Sequence, residues 1–161
     1  MASTPLEQFI DSIDPAFRAG DVLVHTKAAE ARNVEVLREG MRALATGDFE
    51  GAVALLFHDD IDLEITGPPA VPFLGRWRGR TEAGEAIRRN FAMLEGQEPE
   101  IRSIIAQGDT VVIVAHERGR MRETGSPYAS HFVQVATFRG GKIVRFHEIV
   151  DGYAIEDAAA T

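Results

Sequence analysis

The segment FRGGKIVRFHEIVD, residues 138–151, has the pattern of a β-hairpin. Its two consecutive glycines are a turn signal, and apolar and polar residues alternate after them. Because alternate side chains of a strand lie on opposite faces, Val144, Phe146, Glu148 and Val150 share one face. A carboxylate on such an apolar face is unfavourable unless it is paired, hydrogen-bonded or protonated. Glu148 is therefore the first candidate functional residue.

Three more strands are predicted before this last one. Together the four cover about residues 101–106, 110–123, 128–139 and 142–150. Glycine-containing turns separate them, at Gly108-Asp109, at 124–126 and within the hairpin. Consecutive strands joined by short turns pair antiparallel, so the C-terminal part of the chain is expected to form a four-stranded meander.

The residues before the meander indicate three helices and one strand. Apolar residues recur at helical spacing from Asn33 to Gly47, and Asp48 is a suitable N-cap for a second helix. Apolar and acidic residues alternate over 61–65, as in a half-buried strand. Thr81 is predicted to cap a third helix. The expected fold class is α+β, with helices packed on one face of a mostly antiparallel sheet.

One domain accounts for most of the 161 residues. We place it at 33–155, with an N-terminal helical extension at 1–32 and a C-terminal tail at 156–161. The extension is expected to carry a short helix, because Thr4, Pro5 and Glu7 have the pattern of a capping box with proline at the first helical position.

Composition limits the possible partners. The formal net charge of −8 is unfavourable for binding nucleic acid. The chain contains no cysteine, which excludes disulfides and thiolate metal sites and suits a reducing cytoplasm. No run approaches the ~18 apolar residues that span a bilayer. We expect a soluble, cytoplasmic protein that binds neither nucleic acid nor a membrane.

Two other strands repeat the pattern that singles out Glu148. Gln134 shares a face with apolar residues in HFVQVATF, as Glu117 does in VVIVAHERGRM. If these faces enclose one cavity, the three side chains are its main polar groups, which is the usual composition of a small-molecule site. Two carboxyls there do not both ionise easily, so one can act as general acid and the other as base. Gln134 can donate a hydrogen bond to a carboxylate or to a substrate oxyanion.

Two other interpretations of this pattern remain open. Arg88 or Arg89 of the third helix could pair with one glutamate, which would make the polar group structural. The faces of the sheet could also be inverted, in which case His116, His131 and His147, which share the opposite face, would line the cavity.

Three segments together resemble a known family. They are ALATGDFEGAVALLFHDDIDLEI, GRWRGRTEAGEAI and FRGGKIVRFHEIVD. In this order and spacing they are similar to the NTF2-like superfamily, in its SnoaL-like polyketide cyclase and ketosteroid isomerase-like branch. The resemblance implies a cone-shaped, cystatin-like α+β roll, with three helices on a curved sheet that encloses one apolar cavity. It also implies a homodimer formed through the outer face of the sheet.

The isomerase chemistry of that branch does not transfer to this sequence. The general-base aspartate of ketosteroid isomerase matches Ile65, its oxyanion-hole tyrosine falls at about Gly40, and its oxyanion-hole aspartate matches Gln134.

Other activities of the superfamily transfer in part. The limonene-type epoxide hydrolases have an aspartate in the last strand, at the position that resembles Glu148. They also use an arginine, for which Arg118 or Arg120 is available, and a second aspartate that is missing here. In cyclases and dehydratases an acidic residue or histidines serve as acid and base. The candidates for that role are Glu117, Glu148, His116 and His131.

The other residues expected to bind a ligand are apolar. They are Leu63, Ile65, Trp77, Phe91, Met121, Phe132, Phe146 and Val150. Trp77 lies in the turn-rich segment 67–80 and is expected either to stack on a ligand as a lid or to anchor this loop. His58 precedes two aspartates in FHDD, but acids there serve as capping and turn residues, so we expect no metal site. No organic cofactor is expected.

The preferred hypothesis is a cofactor-independent acid/base enzyme of isomerase, cyclase, dehydratase or epoxide hydrolase type. Glu148 is the favoured acid or base on a small hydrophobic substrate, assisted by Glu117 and Gln134. The alternative is a non-catalytic module that binds a hydrophobic ligand or serves dimerisation. A homodimer is expected, because the outer row of the sheet mixes apolar residues with His and Arg. The apolar members of this row are Val133, Val135, Ile143 and Ile149.

Overall fold

The computed structural model describes residues 22–23, 28–69 and 71–152. In these residues the chain forms three helices and seven strands. They are β1 Val22–Leu23, α1 Ala28–Ala45, α2 Phe49–Leu56, β2 Phe57–Thr66, β3 Gly75–Arg78, α3 Arg80–Ala92, β4 Leu94–Gln107, β5 Thr110–Met121, β6 Pro127–Arg139 and β7 Lys142–Val150. The helix predicted near Thr4 and the tail at 156–161 lie outside the described residues.

The described strands form one mixed sheet in the order β1-β4-β5-β6-β7-β2-β3. Strands β4 to β7 pair antiparallel as the predicted meander. β2 lies parallel to β7, and β1 lies parallel to β4. The three helices pack on this curved sheet, so the α+β cone implied by the resemblance is confirmed.

The first two helices form the predicted pair. Asp48 caps α2, since its Oδ1 accepts a hydrogen bond from the backbone N–H of Gly51 at 2.9 Å. α1 begins at Ala28, earlier than predicted and before its apolar stripe starts. Glu30 holds this first turn, because its Oε1 accepts a hydrogen bond from the backbone N–H of Gly108 at 2.7 Å. Apolar periodicity cannot reveal a polar contact of this kind.

The third helix begins before the predicted cap. Arg80 is its first residue, Gly79 occupies the N-cap position at a φ of 82°, and no side chain caps this end. The N–H of Gly79 donates to the carbonyl of Ile61 in β2 at 2.8 Å and so fixes the chain against the sheet where the helix starts. Thr81 therefore lies within the first turn, and the prediction that it caps α3 is wrong.

Two strands differ from the prediction: β3 is not predicted at all, and β4 begins earlier than predicted. Residues 75–78 form β3, although the segment 67–80 was expected to be a loop. β4 begins at Leu94 rather than near residue 101, in a stretch that is too polar to have a strand pattern. Glu95 and Glu98 there lie opposite arginines of β5, so cross-strand charge pairing replaces the apolar alternation.

A β-bulge in the last hairpin changes one face assignment. Phe138 pairs with Ile143, whereas Thr137 pairs with Arg145, so β7 contains one extra residue at Val144. The bulge turns Ile143 inward, where it is fully buried. The prediction that Ile143 lies on the outer face is wrong, and Val144, predicted on the inner face, is the half-buried extra residue of the bulge. Beyond the bulge, Phe146, Glu148 and Val150 share the predicted face.

The buried apolar residues form one core between the helices and the inner face of the sheet. Ile61, Leu63, Ile104 and Ile113 are among the side chains with almost no exposed surface. In the described part of the chain, no helix is long and apolar enough to cross a membrane.

Candidate functional site

A cavity of about 180 Å³ lies within this core. Its wall is mostly apolar and comes from all three helices and from the inner face of β2 and β4 to β7. The polar side chains on it are Asn90, Gln97, Glu117, Ser130, Gln134 and Glu148. Among the described residues that line the cavity, none is lysine, arginine or histidine. The only charges that the wall can carry are therefore negative.

The structure places most of the predicted ligand-binding residues on this wall. Those that line the cavity are Ile65, Phe91, Phe132, Phe146 and Val150. Leu63 does not, because neighbouring core side chains cover it completely. Met121 is buried at the end of β5 opposite Leu94, and Leu94 forms the wall there. Including Leu63 and Met121 in the cavity wall was wrong.

Trp77 is also absent from the cavity wall. It lies in β3, paired with Leu63 of β2, and not in a loop. The guanidinium of Arg89 lies 5.7 Å from the centre of its ring, a cation–π contact. The ring does not reach the cavity wall, as a ligand-stacking lid would, and it contacts Arg89 of α3 instead.

Gln134 and Glu148 contact each other directly within the cavity. They are opposite residues of the neighbouring strands β6 and β7, and Gln134 Nε2 donates to Glu148 Oε2 at 2.5 Å. Among the described residues no cation pairs with Glu148. Arg88 is exposed and Arg89 lies against Trp77, so the alternative of an arginine partner from α3 is not realised.

The surroundings of Glu148 disfavour its charged form. Burial raises the pKa of its carboxyl to about 7 from an ordinary 4.5, and the hydrogen bond from Gln134 lowers the pKa by less than burial raises it. The negative charge of Glu117 raises it further. Both the acid and the carboxylate of Glu148 are therefore populated near neutral pH, which a general acid or base requires.

Glu117 forms a second polar group on the same wall. Tyr128 Oη donates to its Oε1 at 2.5 Å, and Gln97 Nε2 lies 3.3 Å from the same oxygen. Burial raises the pKa of Glu117, while these two hydrogen bonds act to lower it. The pKa of Tyr128 is raised, first by burial and then by the neighbouring carboxylate, so its hydroxyl stays protonated and remains a donor.

Gly119 makes room for the tyrosine of this group. It lies opposite Tyr128 in the β5–β6 pair, and a Cβ on Gly119 would lie 2.8 Å from the tyrosine ring. A side chain there would displace the ring from its position beside Glu117. The segment from Glu117 to Gly119 therefore supplies the carboxyl at one end and, at the other, the space for the Tyr128 ring that donates to it.

Four polar residues near the cavity were missed in the sequence. Tyr128 and Ser130 share the face of Gln134, so extending the predicted row to the start of β6 would have included them. Gln97 lies in the polar start of β4, where no alternation marks an inner face. Asn90 is a single amide on the buried stripe of α3, where strand alternation gives no signal.

The three histidines with the opposite parity do not line the cavity. His116 and His131 are cross-strand neighbours with ring centres 4.7 Å apart, and His147 Nε2 lies 2.9 Å from Thr66 Oγ1. The alternative with inverted sheet faces is therefore wrong. His116 and His131 also lie on the other side of the sheet from Glu117 and Glu148, so they cannot complete an acid/base set with them.

Asp151 joins the ends of β6 and β7. Its Oδ1 accepts from Ser130 Oγ and from the backbone N–H of His131, both at 3.2 Å, and its Oδ2 lies 2.9 Å from His131 Nδ1. Burial acts to raise the pKa of this carboxyl, but the hydrogen bonds from His131 and Ser130 outweigh burial and lower it. Asp151 therefore has a structural role, since these contacts tie the end of β7 to β6.

The acids of FHDD bind arginines. Asp60 pairs with Arg139 at 3.1 Å, Asp59 pairs with Arg80 at 2.5 Å, and His58 Nδ1 accepts from the backbone N–H of Asp60. Among the described residues, no group of three or more His, Asp or Glu is placed to hold a metal ion.

Comparison with known proteins identifies the family. The sequence model of the SnoaL-like domain family matches residues 37–146. The chain belongs to the SnoaL-like family. Its fold agrees with solved structures of the NTF2-like superfamily. The matched domain and the cone-shaped fold both indicate this superfamily. No sequence match was found among curated proteins.

Three solved structures illustrate the range of proteins on this SnoaL-like fold. An NTF2-like protein from Burkholderia xenovorans is 25% identical, with a TM-score of 0.68 over 79% of this chain and 95% of that one. TerC, co-crystallised with polyporic acid, is 23% identical, with a TM-score of 0.67 over 81% and 99%. An LEH-like epoxide hydrolase from M. tuberculosis is 20% identical, with a TM-score of 0.63 over 80% and 90%.

The SnoaL-like chain lacks the residues of two known chemistries on this fold. Ile65 lies on the cavity wall at the position that resembles the isomerase base. At Gly40 an added Cβ would lie 2.2 Å from the Leu56 side chain, so a tyrosine does not fit there. Arg118 pairs with Glu98 and Arg120 donates to the carbonyl of Gly125, so neither reaches the cavity as the epoxide hydrolase pattern requires.

Proposed function

We propose that this SnoaL-like protein is a cofactor-independent acid/base enzyme that acts on a small, largely hydrophobic substrate. The observation that carries the proposal is Glu148, a carboxyl in an apolar cavity with no cationic partner among the described residues. A purely structural carboxyl at such a position would be expected to have an ion-pair partner. A carboxyl with a pKa near neutral can instead exchange a proton with a substrate.

Each polar side chain has a role in this proposal. Glu148 gives a proton to a substrate oxygen when it is neutral, or removes one from carbon or water when it is ionised. Gln134 holds Glu148 Oε2 in a fixed position, because the two side chains share a short hydrogen bond. Glu117 supplies the second carboxyl, and Tyr128 and Gln97 orient it. The remaining wall holds an apolar substrate body and excludes water.

A second candidate is a non-catalytic protein that binds a hydrophobic ligand in the same cavity. Ile65 and Gly40 favour it, because these positions lack the acidic base and the tyrosine of the isomerases they resemble. In this case Glu148 and Gln134 would orient a ligand by hydrogen bonding and no bond would be made or broken.

Turnover of two simple substrates separates the candidates. A phenyl-substituted epoxy alcohol tests epoxide opening, and a hydroxylated β,γ-unsaturated cyclohexenone tests proton transfer next to a carbonyl. We expect the wild-type protein to convert at least one of them, and Glu148→Gln to lose that activity because the amide cannot exchange a proton. Glu98→Gln changes an exposed glutamate outside the cavity and serves as the control. Binding of both compounds without conversion would favour the non-catalytic candidate.

We also propose that the protein is a homodimer formed through the outer face of the sheet. Ile149 there is 47% exposed, an unusual exposure for a large apolar side chain on a central strand. Val133, Val135 and the paired rings of His116 and His131 surround it on the same face. This mixture of apolar and aromatic groups is typical of a subunit interface.

A further inference from the structure

The ionisable groups on the cavity wall are all acidic, which affects the kind of ligand that the cavity can bind. Glu117 and Glu148 are the only ionisable side chains on its wall among the described residues, and their ionised form is negative. An anionic ligand would therefore meet two carboxyls and no cation in a medium of low dielectric constant. Such a ligand would also lose its hydration without gaining a compensating ion pair.

The hydrogen-bonding groups of the wall have a matching bias. The amide nitrogens of Gln134 and Gln97 donate to Glu148 and Glu117, and that of Asn90 donates to the carbonyl of Phe73 at 3.5 Å. Ser130 Oγ donates to Asp151. The amide nitrogens and the hydroxyl of the wall therefore already have acceptors within the protein.

Two acceptors on the same wall lack a partner. Gln134 Oε1 and Asn90 Oδ1 are buried, and neither receives a hydrogen bond from a described residue. They belong to opposite walls, because Gln134 is on the sheet and Asn90 is on α3. Leaving a buried carbonyl oxygen unpaired is unfavourable, so it attracts a donor. A ligand donor that reaches either oxygen supplies the hydrogen bond that the protein leaves unmade.

We infer that the cavity selects a small apolar molecule whose polar group donates hydrogen bonds, such as a hydroxyl or an amine, and that it rejects carboxylates and phosphates. This inference rests on the proposed function, since it names the substrate class of the same cavity. Gln134 and Asn90 are the residues that determine the specificity. The carboxyls of Glu117 and Glu148 add acceptors for the same donor and provide the repulsion of anions.

Four probes with one ring system test this selectivity. They are naphthol, naphthylmethylamine, methoxynaphthalene and naphthoate, all substituted at the same ring carbon and measured with the full chain by isothermal titration calorimetry near neutral pH. We expect naphthol and the amine to bind about ten-fold more tightly than methoxynaphthalene, which presents an oxygen but no donor. We expect no measurable binding of naphthoate.

Variants test whether Asn90 and Gln134 cause the preference for a hydrogen-bond donor. Asn90→Leu removes one unpaired acceptor and is expected to weaken naphthol binding severalfold while leaving the affinity for methoxynaphthalene unchanged. Gln134→Leu tests the other wall if Asn90→Leu does not fold. Gln107→Leu replaces an exposed amide at the end of β4, outside the cavity, and is expected to keep the wild-type preference.

The possible failures can be told apart. Equal affinity for naphthol and methoxynaphthalene, or binding of naphthoate as tight as that of naphthol, overturns this inference and leaves the proposed hydrophobic site intact. Failure of all four probes to bind overturns the proposed site as well. A donor preference that persists in both Asn90→Leu and Gln134→Leu overturns the assignment of specificity to these residues.

Discussion

Gln134 and Glu148 face each other across β6 and β7 and share a hydrogen bond of 2.5 Å within an apolar cavity. The amide favours the ionised form of the carboxyl, whereas burial and the charge of Glu117 favour the neutral form. Because burial has the larger effect, the pKa of Glu148 is raised, and the stability of the fold becomes dependent on the ionisation of this one group.

Glu148→Gln is expected to remove a pH dependence of stability. The folded chain binds a proton at Glu148 up to about pH 7, whereas the unfolded chain releases it near 4.5. The contribution of this group is therefore fully present below pH 4.5 and is lost as the pH rises to 7. The loss corresponds to about 3 kcal/mol in the free energy of unfolding.

Urea denaturation at about pH 5 and about pH 8 measures this effect. The wild-type protein should lose stability between the two conditions, and Glu148→Gln should lose less and be at least as stable as wild type at the higher pH. A variant that is about 3–5 kcal/mol less stable than wild type at the higher pH would instead mean that Glu148 holds the fold as an ion-pair partner. Glu98→Gln again provides the control at the surface.

Gln134→Leu is expected to raise the pKa of Glu148 above its wild-type value of about 7. Leucine has a similar volume but cannot donate to the carboxylate, so the ionised form loses the hydrogen bond that stabilises it. NMR titration of isotope-labelled glutamate carboxyls measures the shift. An unchanged or lowered pKa in the variant would show that the amide does not control the proton at this position.

Tyr128→Phe is expected to raise the pKa of Glu117 and to destabilise the fold more at high pH than at low pH. The phenylalanine keeps the ring packed but removes the hydroxyl that donates to the carboxylate. A hydrogen bond to a charged group contributes about 1.5–3 kcal/mol. The double variant Glu117→Gln, Tyr128→Phe completes a cycle, and the interaction assigned to this pair is absent if the two single effects simply add.

Ile149→Asp is expected to convert a homodimer into a monomer. The change places a charge in the centre of the proposed interface, where it would have to be buried without a partner. Light scattering at micromolar concentration should give about twice the chain mass of 17.6 kDa for the wild type and the chain mass for the variant. Glu123→Ala changes an exposed turn residue away from this face and should leave the mass unchanged. A monomeric wild-type protein would contradict the proposal.

Strand alternation predicted the central part of the site. Because the period of a strand is two, the single polar residue in each of three apolar rows had to lie with its apolar neighbours, and Glu117, Gln134 and Glu148 all line the cavity. The SnoaL-like resemblance added the order of the elements. Neither the alternation nor the order of the elements depends on the register in which neighbouring strands pair.

Local sequence could not predict what depends on pairing. The bulge at Val144 reverses the side on which Ile143 lies, and it is visible only in how β7 pairs with β6. β3 pairs with β2 through a segment whose glycines and prolines suggest a loop. Met121 has the inner parity but lies where the strand ends, so parity alone placed it on the cavity wall in error.

The cavity is also a defect in the packing of the core. Atoms around an empty space lack contacts on one side, and an unfilled cavity therefore lowers the stability of a fold. A molecule of the right shape restores those contacts and stabilises only the folded chain. Its binding should appear as a rise in melting temperature that grows with ligand concentration, so thermal denaturation can find ligands for this protein without any assumption about the reaction.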